Sequence, residues 1–363
     1  MLTLPGLVDV HTHLRDPGGT HKEDWDTGTA AALAGGITQV LAMPNTLPPI
    51  ADGAALALSG NAAAAKARCD YGIYAAATAH NTDTVHHLAT RVCGLKFYLD
   101  ATFGDLLMDD TSVWLEHLDA WPRGRDAPPI VAHAEQQSLP AFLAAAQITG
   151  QPVHIAHVAR RGEIEMIARA KAAGWSVTCE AAPHHLFLCL DDLPRITQGG
   201  RFRGRGEVRP RLVTADDRDA LWEHLEVIDC IATDHAPHLL SEKDSDTPPP
   251  GFPELEVSLA MMLTAVHDGR LTLDQLIDRM AHNPRRIFKL PEQPDTAVEV
   301  DEDCSWEIPL QGWYTRADWS PFAGLTAHGR VRSVTLRGTT AYADGRVLAA
   351  PGTGQSVHPS DSG

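Results

Sequence analysis

Two histidines near the N-terminus are the first residues whose spacing could support chemistry. His11 and His13 lie in the segment PGLVDVHTHLR, at the end of an apolar run that is typical of a buried β-strand. Residues two apart on a strand face the same side, so both imidazoles can point to one centre. Imidazole nitrogens are common zinc ligands. The pair alone is weak evidence, because the chain contains 19 histidines and chance pairs are expected.

Further polar side chains stand at the ends of other strand-like segments: Asn45, Lys96, His133, His157, Glu180 and Asp234. Imidazole and carboxylate donors without clustered thiolates favour Zn(II), and two histidine pairs from different strands suggest two metal ions. An unmodified Lys96 does not fit such a site, because its ammonium would be repelled by the metal cations. Its alternative role is a salt bridge to Asp100 or Asp234. For any single histidine, a hydrogen-bonded position at the rim of the fold is the alternative.

The elements that must position these residues alternate short apolar runs with longer alanine-rich stretches. We predict strands at residues 6–11, 38–43, 72–77, 94–99, 129–133, 153–157, 176–180 and 229–233, and helices at 25–34, 139–146, 162–173 and 218–225. In a (β/α)8 barrel the carboxyl ends of the strands meet at one mouth, which is where the polar residues fall. The sequence therefore predicts an α/β fold with a TIM barrel over residues 1–290. A doubly wound open sheet is the alternative.

Beyond residue 290 the composition changes. An acidic, proline-containing segment, PEQPDTAVEVDEDC, precedes strand-like pieces near 331–336 and 340–348, which predicts a connector and a small β-rich appendage formed by the C-terminal segment 291–350. We predict a disordered tail at 351–363, because PGTGQSVHPSDSG is rich in small and turn-forming residues. Residues 196–212 contain four glycines and five arginines and are predicted to form a long exposed loop.

Composition excludes several classes of partner. The chain has 363 residues, of which 44% are hydrophobic, so a large core is possible. Its formal net charge of -17 disfavours nucleic acid and anionic membranes. Six cysteines without a CxxC pair indicate reduced thiols. With no signal-like or membrane-spanning segment at the start of the sequence, we predict a cytoplasmic protein.

The motifs together resemble the amidohydrolase superfamily, and within it the dihydroorotases. The resemblance is carried by VDVHTHLRDPGGTHKED, AMPNT, GLKFYLDATFGD, GEVRPRL, ATDHAPH and PPPGFPELE, and it extends from residue 5 to about residue 355. These segments are most similar to the dihydroorotase domain of the animal multifunctional pyrimidine-synthesis protein. The resemblance implies reversible cyclisation of N-carbamoyl-L-aspartate to L-dihydroorotate in the synthesis of UMP.

The same resemblance implies an assembly. It suggests a homodimer, and fusion to or association with aspartate transcarbamoylase and carbamoyl-phosphate synthetase. The chain begins almost directly at its first predicted barrel strand and ends in a segment rich in serine, proline and glycine. We therefore expect one domain of a larger polypeptide.

The resemblance also assigns roles to individual residues. One zinc ion would be bound by His11, His13 and Asp234, the other by His133 and His157, and both by Lys96 after CO2 has converted it to N6-carboxylysine. Asp234 would also act as general base and acid, taking a proton from the attacking water and passing it to the ring nitrogen. The substrate carboxylate would be bound by Arg15, Asn45 and His238. Further substrate contacts would come from Arg209, Pro250 and Gly251, and a loop containing Thr102 and Phe103 would close over the ligand.

One position departs from the animal domain in a way that affects metal binding. Ala156 stands where that domain has a cysteine that helps to hold a third zinc ion, although Glu180 remains as a further candidate ligand. A methyl group cannot replace a thiolate ligand, so we predict two zinc ions and leave a third open. Glu254 also differs, without an assigned effect.

Two other functions are alternatives. Hydantoinases, dihydropyrimidinases and allantoinases are related cyclic amidohydrolases, but the carboxylate-binding set of Arg15, Asn45 and His238 argues against their substrates. Some dihydroorotase-like chains are non-catalytic partners of aspartate transcarbamoylase and lack the metal residues. Here all six are present.

Overall fold

Strands and helices alternate along most of the chain, as predicted. The structure is a computed structural model that describes residues 1–102 and 106–358. Within those ranges the strands are β1 Leu2–Pro5, β2 Leu7–Thr12, β3 Ile37–Ala42, β4 Asp70–Ile73, β5 Ala75–Ala76, β6 Leu95–Tyr98, β7 Ile130–His133, β8 Val153–Ile155, β9 Val177–Ala181, β10 Cys230–Ile231, β11 Ala297–Glu307, β12 Thr326–Leu336, β13 Thr339–Ala343 and β14 Arg346–Val347.

The helices follow the strands in the order expected of repeated βα units. They are α1 Trp25–Ala34, α2 Gly53–Lys66, α3 Thr82–Val85, α4 Thr111–Ala120, α5 Ser138–Thr149, α6 Arg161–Ala172, α7 Pro183–Phe187, α8 Leu193–Ile196, α9 Ala215–Glu223, α10 Leu240–Lys243, α11 Ser258–His267, α12 Leu273–Ile277 and α13 Asn283–Phe288. Side-chain caps begin several of them. Asp24 accepts a hydrogen bond from the Thr27 amide at α1, and Asp52 accepts one from Ala55 at α2.

Parallel pairing unites the strands of the α/β region. One sheet has the order β2-β3-β4 and the other the order β10-β9-β8-β7-β6-β5, with every pair parallel. Thr12, the last residue of β2, forms a parallel bridge with His235, which lies beyond the end of β10. The His13 amide donates to the His235 carbonyl at 2.8 Å. The carboxyl ends of the first and last strands of this region therefore lie side by side. This is an α/β fold with parallel sheets.

An antiparallel sheet packs beside this region and differs from the appendage predicted from the C-terminal segment alone. Its order is β1-β11-β12-β13-β14. The N-terminal strand β1 contributes an edge, pairing Leu2 with Val300 and Pro5 with Ala297. β11 forms within the residues expected to be a connector. Both ends of the chain thus build this sheet.

The segment 351–358, for which the sequence predicts disorder, is ordered against the edge of the α/β region. The Tyr71 amide donates to the Gln355 carbonyl and the Val357 amide to the Tyr71 carbonyl, both at 2.9 Å. Ser356 forms a parallel bridge with Tyr71. The tail prediction is wrong for these residues because backbone pairing stabilises them, while 359–363 lie outside the described residues.

The arginine- and glycine-rich segment 196–212 also differs from the predicted exposed loop. Gly204 and Arg205 are buried in a short 3-10 helix, Arg203–Gly206, and Val208 and Leu212 are buried in an apolar cluster. The segment therefore packs on the body of the protein. Across the described chain, no helix combines the length and apolar character needed to cross a bilayer.

Candidate active site

One cavity at the carboxyl ends of the parallel strands collects most of the residues predicted to act together. Its lining comprises His11, His13, Arg15, Asn45, Lys96, Tyr98, Thr102, His133, His157, Arg209, Asp234, Ala236, Pro250 and Gly251. Glu180 and His238 lie behind this lining, each in contact with one of its members. Phe103 is outside the described residues. Residues that are far apart in the sequence, from His11 to Gly251, are therefore brought together here.

The first cluster in the cavity consists of His11, His13 and Asp234. The Nε2 atoms of His11 and His13 lie 3.2 Å and 3.0 Å from Asp234 Oδ1. Each of the three residues offers one ligand atom, and these three atoms lie within 4.8 Å of one another. Burial lowers the pKa of His13 to about 4, whereas the neighbouring imidazoles of His11 and His13 hold the pKa of Asp234 well below its usual value against the effect of burial. His13 therefore presents a neutral imidazole beside an ionised carboxylate.

Glu180 orients His11 from behind the cavity. One of its oxygens contacts His11 Nδ1, and the other lies 3.0 Å from His154 Nε2. All three side chains are buried. A carboxylate on the far ring nitrogen fixes the orientation of an imidazole ligand. These contacts suit a supporting role for Glu180 beside His11, and its role as a metal ligand stays a prediction.

His133 and His157 form the second cluster. His133 Nδ1 and His157 Nε2 face each other at 2.9 Å, and His133 Nε2 lies 3.0 Å from Glu135 Oε1. Burial, and after it the proximity of the His133 ring, lowers the pKa of His157 well below its usual value. The two facing nitrogens therefore belong to residues that both line the cavity.

Lys96 lies on β6 between these clusters and is only 1% exposed. Within the described part of the chain, its Nζ has no hydrogen-bond partner. Burial lowers the pKa of this amine to about 8, even though Glu180 and Asp234 act in the opposite direction. A buried amine without a partner is unfavourable and indicates that a further group belongs here.

Asp9 locks the strand that carries the histidines to the segment that carries Asp234. Its carboxyl group accepts hydrogen bonds from the His11 amide at 3.0 Å and from the Thr233 hydroxyl at 2.6 Å. His157 and Asp234 have positive φ values of 34° and 48°, and Arg15 has one of 58°. Such backbone conformations are costly for residues with a Cβ and cluster at functional sites.

Arg15 and Asn45 form the polar side of the cavity. Arg15 is buried, and its Nη2 lies 3.1 Å from His238 Nε2, while Lys22 Nζ lies 3.0 Å from His238 Nδ1. Asn45 Oδ1 lies 2.6 Å from His13 Nδ1 and so links the polar side to the first cluster. Burial lowers the pKa of Arg15 to about 10, which leaves the guanidinium charged at neutral pH. This side can bind an anion.

Arg209, Pro250 and Gly251 come from two loops that meet over the cavity. Arg209 Nη1 lies 3.1 Å from Glu207 Oε2, and the Gly251 amide donates to the Glu207 carbonyl at 3.0 Å. Gly251 has φ 143°, and a Cβ at this position would lie 2.3 Å from the Ala236 carbonyl oxygen. Glycine is therefore required where this loop passes the residues next to Asp234.

Glu254 has a structural role that its sequence position did not reveal. Its Oε1 lies 2.7 Å from His184 Nδ1, and its amide donates to His235 Nδ1 at 3.1 Å. His235 Nε2 lies 3.3 Å from Glu23 Oε2, so this ring donates to Glu23 while accepting from the Glu254 amide. Glu254 therefore helps to hold the residue that follows Asp234.

The chemistry of these donors fits metal binding. Neutral imidazoles and an ionised carboxylate are the protonation states that bind zinc. Among the described residues, His157 Nδ1 and Lys96 Nζ are buried without hydrogen-bond partners. Carboxylation would convert Lys96 from a cation into an oxygen donor and remove the repulsion that an ammonium would exert on a metal ion.

Sequence reasoning missed Tyr98 and Glu135. Tyr98 lines the cavity, and its ring centre lies 5.4 Å from Lys96 Nζ. Two-residue alternation along β6 places it on the face of Lys96 and could have revealed it. Glu135 follows His133 by two residues, but β7 ends at His133, so strand alternation could not predict its contact.

Comparison with known proteins identifies the family. The Dihydro-orotase-like family model matches residues 1–85. The chain is 53% identical over 357 residues to the Multifunctional protein CAD of Squalus acanthias, covering 98% of this chain but 16% of that protein. It is 34% identical over 368 residues to the Dihydroorotase of Pyrococcus abyssi, covering 96% of this chain and 86% of the relative.

Solved structures agree on the fold. L-hydantoinase from Arthrobacter aurescens superposes with a TM-score of 0.91 at 24% identity, covering 98% of this chain and 88% of that one. The inactive dihydroorotase-like domain of the Chaetomium thermophilum CAD-like multifunctional protein gives 0.82 at 28% identity, covering 98% of both chains. The similar fold of an inactive domain means that activity must be argued from the cavity residues. On its identity to a dihydroorotase over nearly its whole length, the chain belongs to the dihydroorotase family.

Proposed function

We propose that this chain is a zinc-dependent dihydroorotase that interconverts N-carbamoyl-L-aspartate and L-dihydroorotate. The observation that carries the proposal is a single cavity lined by six residues able to hold two metal ions and by an arginine suited to a carboxylate. The family relationship supports the reaction. We also propose that the parallel sheets form one closed (β/α)8 barrel with the antiparallel sheet as an appendage.

Binding of the substrate would rest on the polar side of the cavity. The planar guanidinium of Arg15 matches the geometry of a carboxylate, and the amide of Asn45 can donate to the same group. Arg209 would add a second positive charge from the opposite loop. This arrangement favours a ring that carries a carboxylate over an uncharged hydantoin or dihydropyrimidine.

The metal sites would use the residues already grouped by the fold. His11, His13 and Asp234 would hold one zinc ion, His133 and His157 the other, and carboxylated Lys96 both. Zinc bound there would act as a Lewis acid, which acidifies water and polarises a carbonyl oxygen. We propose two ions, because Ala156 offers no donor for a third.

Asp234 would move the proton. In ring opening, water forms a bond to the ring carbonyl carbon, the ring C–N bond breaks, and the proton passes through the Asp234 carboxylate to the leaving nitrogen. Its low pKa keeps this carboxylate ionised and ready to accept. Thr102 and the loops of Arg209 and Gly251 would limit the access of bulk water. Ring closure reverses each step.

The test compares two substrates on purified protein. We expect opening of L-dihydroorotate but not of dihydrouracil, two zinc ions per chain by atomic absorption, and a loss of about 1000-fold or more in turnover for Asp234→Asn. Asp52→Asn is the matched control, because asparagine also caps helix α2. Preferential turnover of dihydrouracil would favour a dihydropyrimidinase, and full activity of Asp234→Asn would refute the proton transfer.

The setting of the domain is a further part of the proposal. The chain spans about 16% of the multifunctional relatives with which it shares 53% and 51% identity. We propose that it works in the cytoplasm as a homodimer beside other pyrimidine-synthesis activities. Sedimentation of the purified chain tests the dimer, and the reading frame of the native gene tests the fusion.

A further inference from the structure

A buried lysine joins the two loops that cover the cavity. Lys243, at the end of α10, is fully buried. Its Nζ donates to three backbone carbonyls: Glu207 at 2.6 Å, Pro249 at 2.9 Å and Gly251 at 3.2 Å. A lysine ammonium has three N–H donors, so these three acceptors satisfy it completely.

The acceptors belong to the two segments that supply cavity residues. Glu207 precedes Arg209 by two residues, and Pro249 and Gly251 flank Pro250. Arg209, Pro250 and Gly251 all line the cavity, whereas Lys243 does not. One ammonium thus ties both loops from behind.

Aromatic rings and an ion pair lie close to Lys243 on its other sides. The ring centres of Phe252 and Trp319 lie 5.6 Å and 5.8 Å from Nζ, within range of cation–π attraction. Arg205 and Asp244 form two hydrogen bonds, at 2.8 Å and 2.7 Å, next to α10. A Cβ at Gly204 would lie 1.9 Å from the Lys243 carbonyl oxygen, so the two backbones touch.

We propose that Lys243 is a positioning residue that sets the distance between the Arg209 loop and the Pro250–Gly251 loop for substrate binding. This inference rests on the proposed function of the cavity. Without the ammonium, three carbonyls lose their shared donor and the loops separate. Misplacement of a binding group by about 1 Å can cost on the order of 100-fold in rate. Because Lys243 touches neither metal ligands nor Asp234, its effect falls on binding.

The experiment replaces Lys243 with methionine, which keeps an apolar stem of similar shape. We expect Lys243→Met to raise the KM for dihydroorotate about tenfold or more, with kcat reduced less than about threefold and bound zinc unchanged. Deuterium exchange should quicken in residues 204–211 and 248–252. Lys243→Gln, which retains two N–H donors, should give intermediate values.

The matched control is Lys171→Met. Lys171 also donates to a backbone carbonyl, that of Val227 at 2.6 Å, and to Asp229, but its partners do not line the cavity. We expect this variant to keep the KM of the unmodified chain. An unchanged KM and unchanged exchange in folded Lys243→Met would refute the proposal. Failure of both Lys243 variants to fold would also refute it, by showing that the ammonium supports the whole fold.

The two proposals can fail separately. If the unmodified chain does not open dihydroorotate, the proposed function fails. Deuterium exchange still tests Lys243 in that case, because loop separation is measured without substrate. Exchange that quickens in Lys243→Met but not in Lys171→Met would then support the positioning role alone.

Discussion

In the proposed function, Arg15 is the residue that separates a carboxylate-bearing ring from an uncharged one. It is 5% exposed and stays charged despite its burial. We predict that Arg15→Met raises the KM for dihydroorotate about 10- to 100-fold, because hydrogen bonds to a charged group contribute about 1.5–3 kcal/mol. Steady-state kinetics on dihydroorotate will measure the change.

The control for this prediction is another buried arginine. Arg279 is 7% exposed and donates to the Leu225 carbonyl at 2.8 Å, and it does not line the cavity. Arg279→Met is expected to lower stability while leaving the KM within about twofold. An equal rise of KM in both variants would mean that loss of a buried arginine, and not loss of a carboxylate contact, causes the effect.

At this scale the sequence predicted residue types better than residue contacts. His11, His13, Lys96, His133, His157 and Asp234 could be named because each follows an apolar run, and parallel strands collect their ends at one edge. The place of Glu180 could not be predicted, because a carboxylate at a strand end can serve as a ligand or can orient one. Its contacts with His11 and His154 become visible only in the folded chain.

At the scale of elements, the connection between β11 and β12 supports the cavity from outside. Trp319 in this segment donates to the His238 carbonyl at 2.8 Å. Glu256 receives the amides of Tyr314 at 2.8 Å and Thr315 at 3.1 Å. The segment therefore holds the backbone of His238, whose side chain contacts Arg15, and it does not line the cavity.

Glu256 makes the docking of this segment dependent on pH. Burial raises its pKa from 4.5 to about 8, with hydrogen bonds from the two amides opposing this and the charges of Glu23 and Asp318 adding to it. The Glu256 carboxyl group ionises near pH 4.5 in the unfolded chain and near pH 8 in the folded chain. Its ionisation therefore lowers the free energy of unfolding as pH rises between these values. Glu256→Gln keeps the accepting oxygen and removes the charge.

We therefore predict that Glu256→Gln is about 1–2 kcal/mol more stable than the unmodified chain at pH 8, and equal to it near pH 4.5. One pKa unit corresponds to about 1.4 kcal/mol, and partial exposure of the side chain reduces the total. Denaturant unfolding at both pH values measures the difference. Glu226→Gln, at an exposed position, is the control, and a gain that is the same at both pH values would contradict the prediction.

The loop at Gly251 gives a second prediction for an element. Gly251→Ala places a methyl group 2.3 Å from the Ala236 carbonyl oxygen, so the loop must move away from Asp234. We predict a loss of about 100-fold in kcat/KM for dihydroorotate. Gly269 also has positive φ, 72°, but a Cβ there would have no atom within 4 Å, so Gly269→Ala should cost about 1 kcal/mol of stability and no activity. Equal activity of both variants would contradict the steric argument.

At the scale of the whole molecule, the sequence predicted the α/β region well and the antiparallel sheet poorly. Hydrophobic periodicity repeats in each βα unit, so each strand and helix can be predicted from its own short segment of sequence. In contrast, β1 pairs with β11 across nearly 300 residues, and no local pattern predicts that pairing. The short run Leu2–Pro5 contains a proline and carries little strand signal by itself. Its partner in space, and the pairing of Ser356 with Tyr71, depend on where the chain returns after the α/β region is complete.

That return predicts how the C-terminal segment contributes to stability. Residues 351–358 add the Tyr71 pairing, a bond from the Gln355 amide to Asp70 at 2.9 Å and one from Arg337 to the Thr353 carbonyl at 2.8 Å. Each hydrogen bond contributes about 1 kcal/mol, offset in part by the entropy of ordering the segment. The free energy of unfolding should therefore be about 2 kcal/mol lower for a chain ending at residue 350 than for one ending at residue 358.

Because no residue of 351–358 lines the cavity, dihydroorotate turnover at 25 °C should be equal in the two chains. Equal stability by denaturant unfolding would show that these contacts are exchanged for water at no cost, and lost turnover would show that Tyr71 transmits the ordering of this segment to the strands that carry the site.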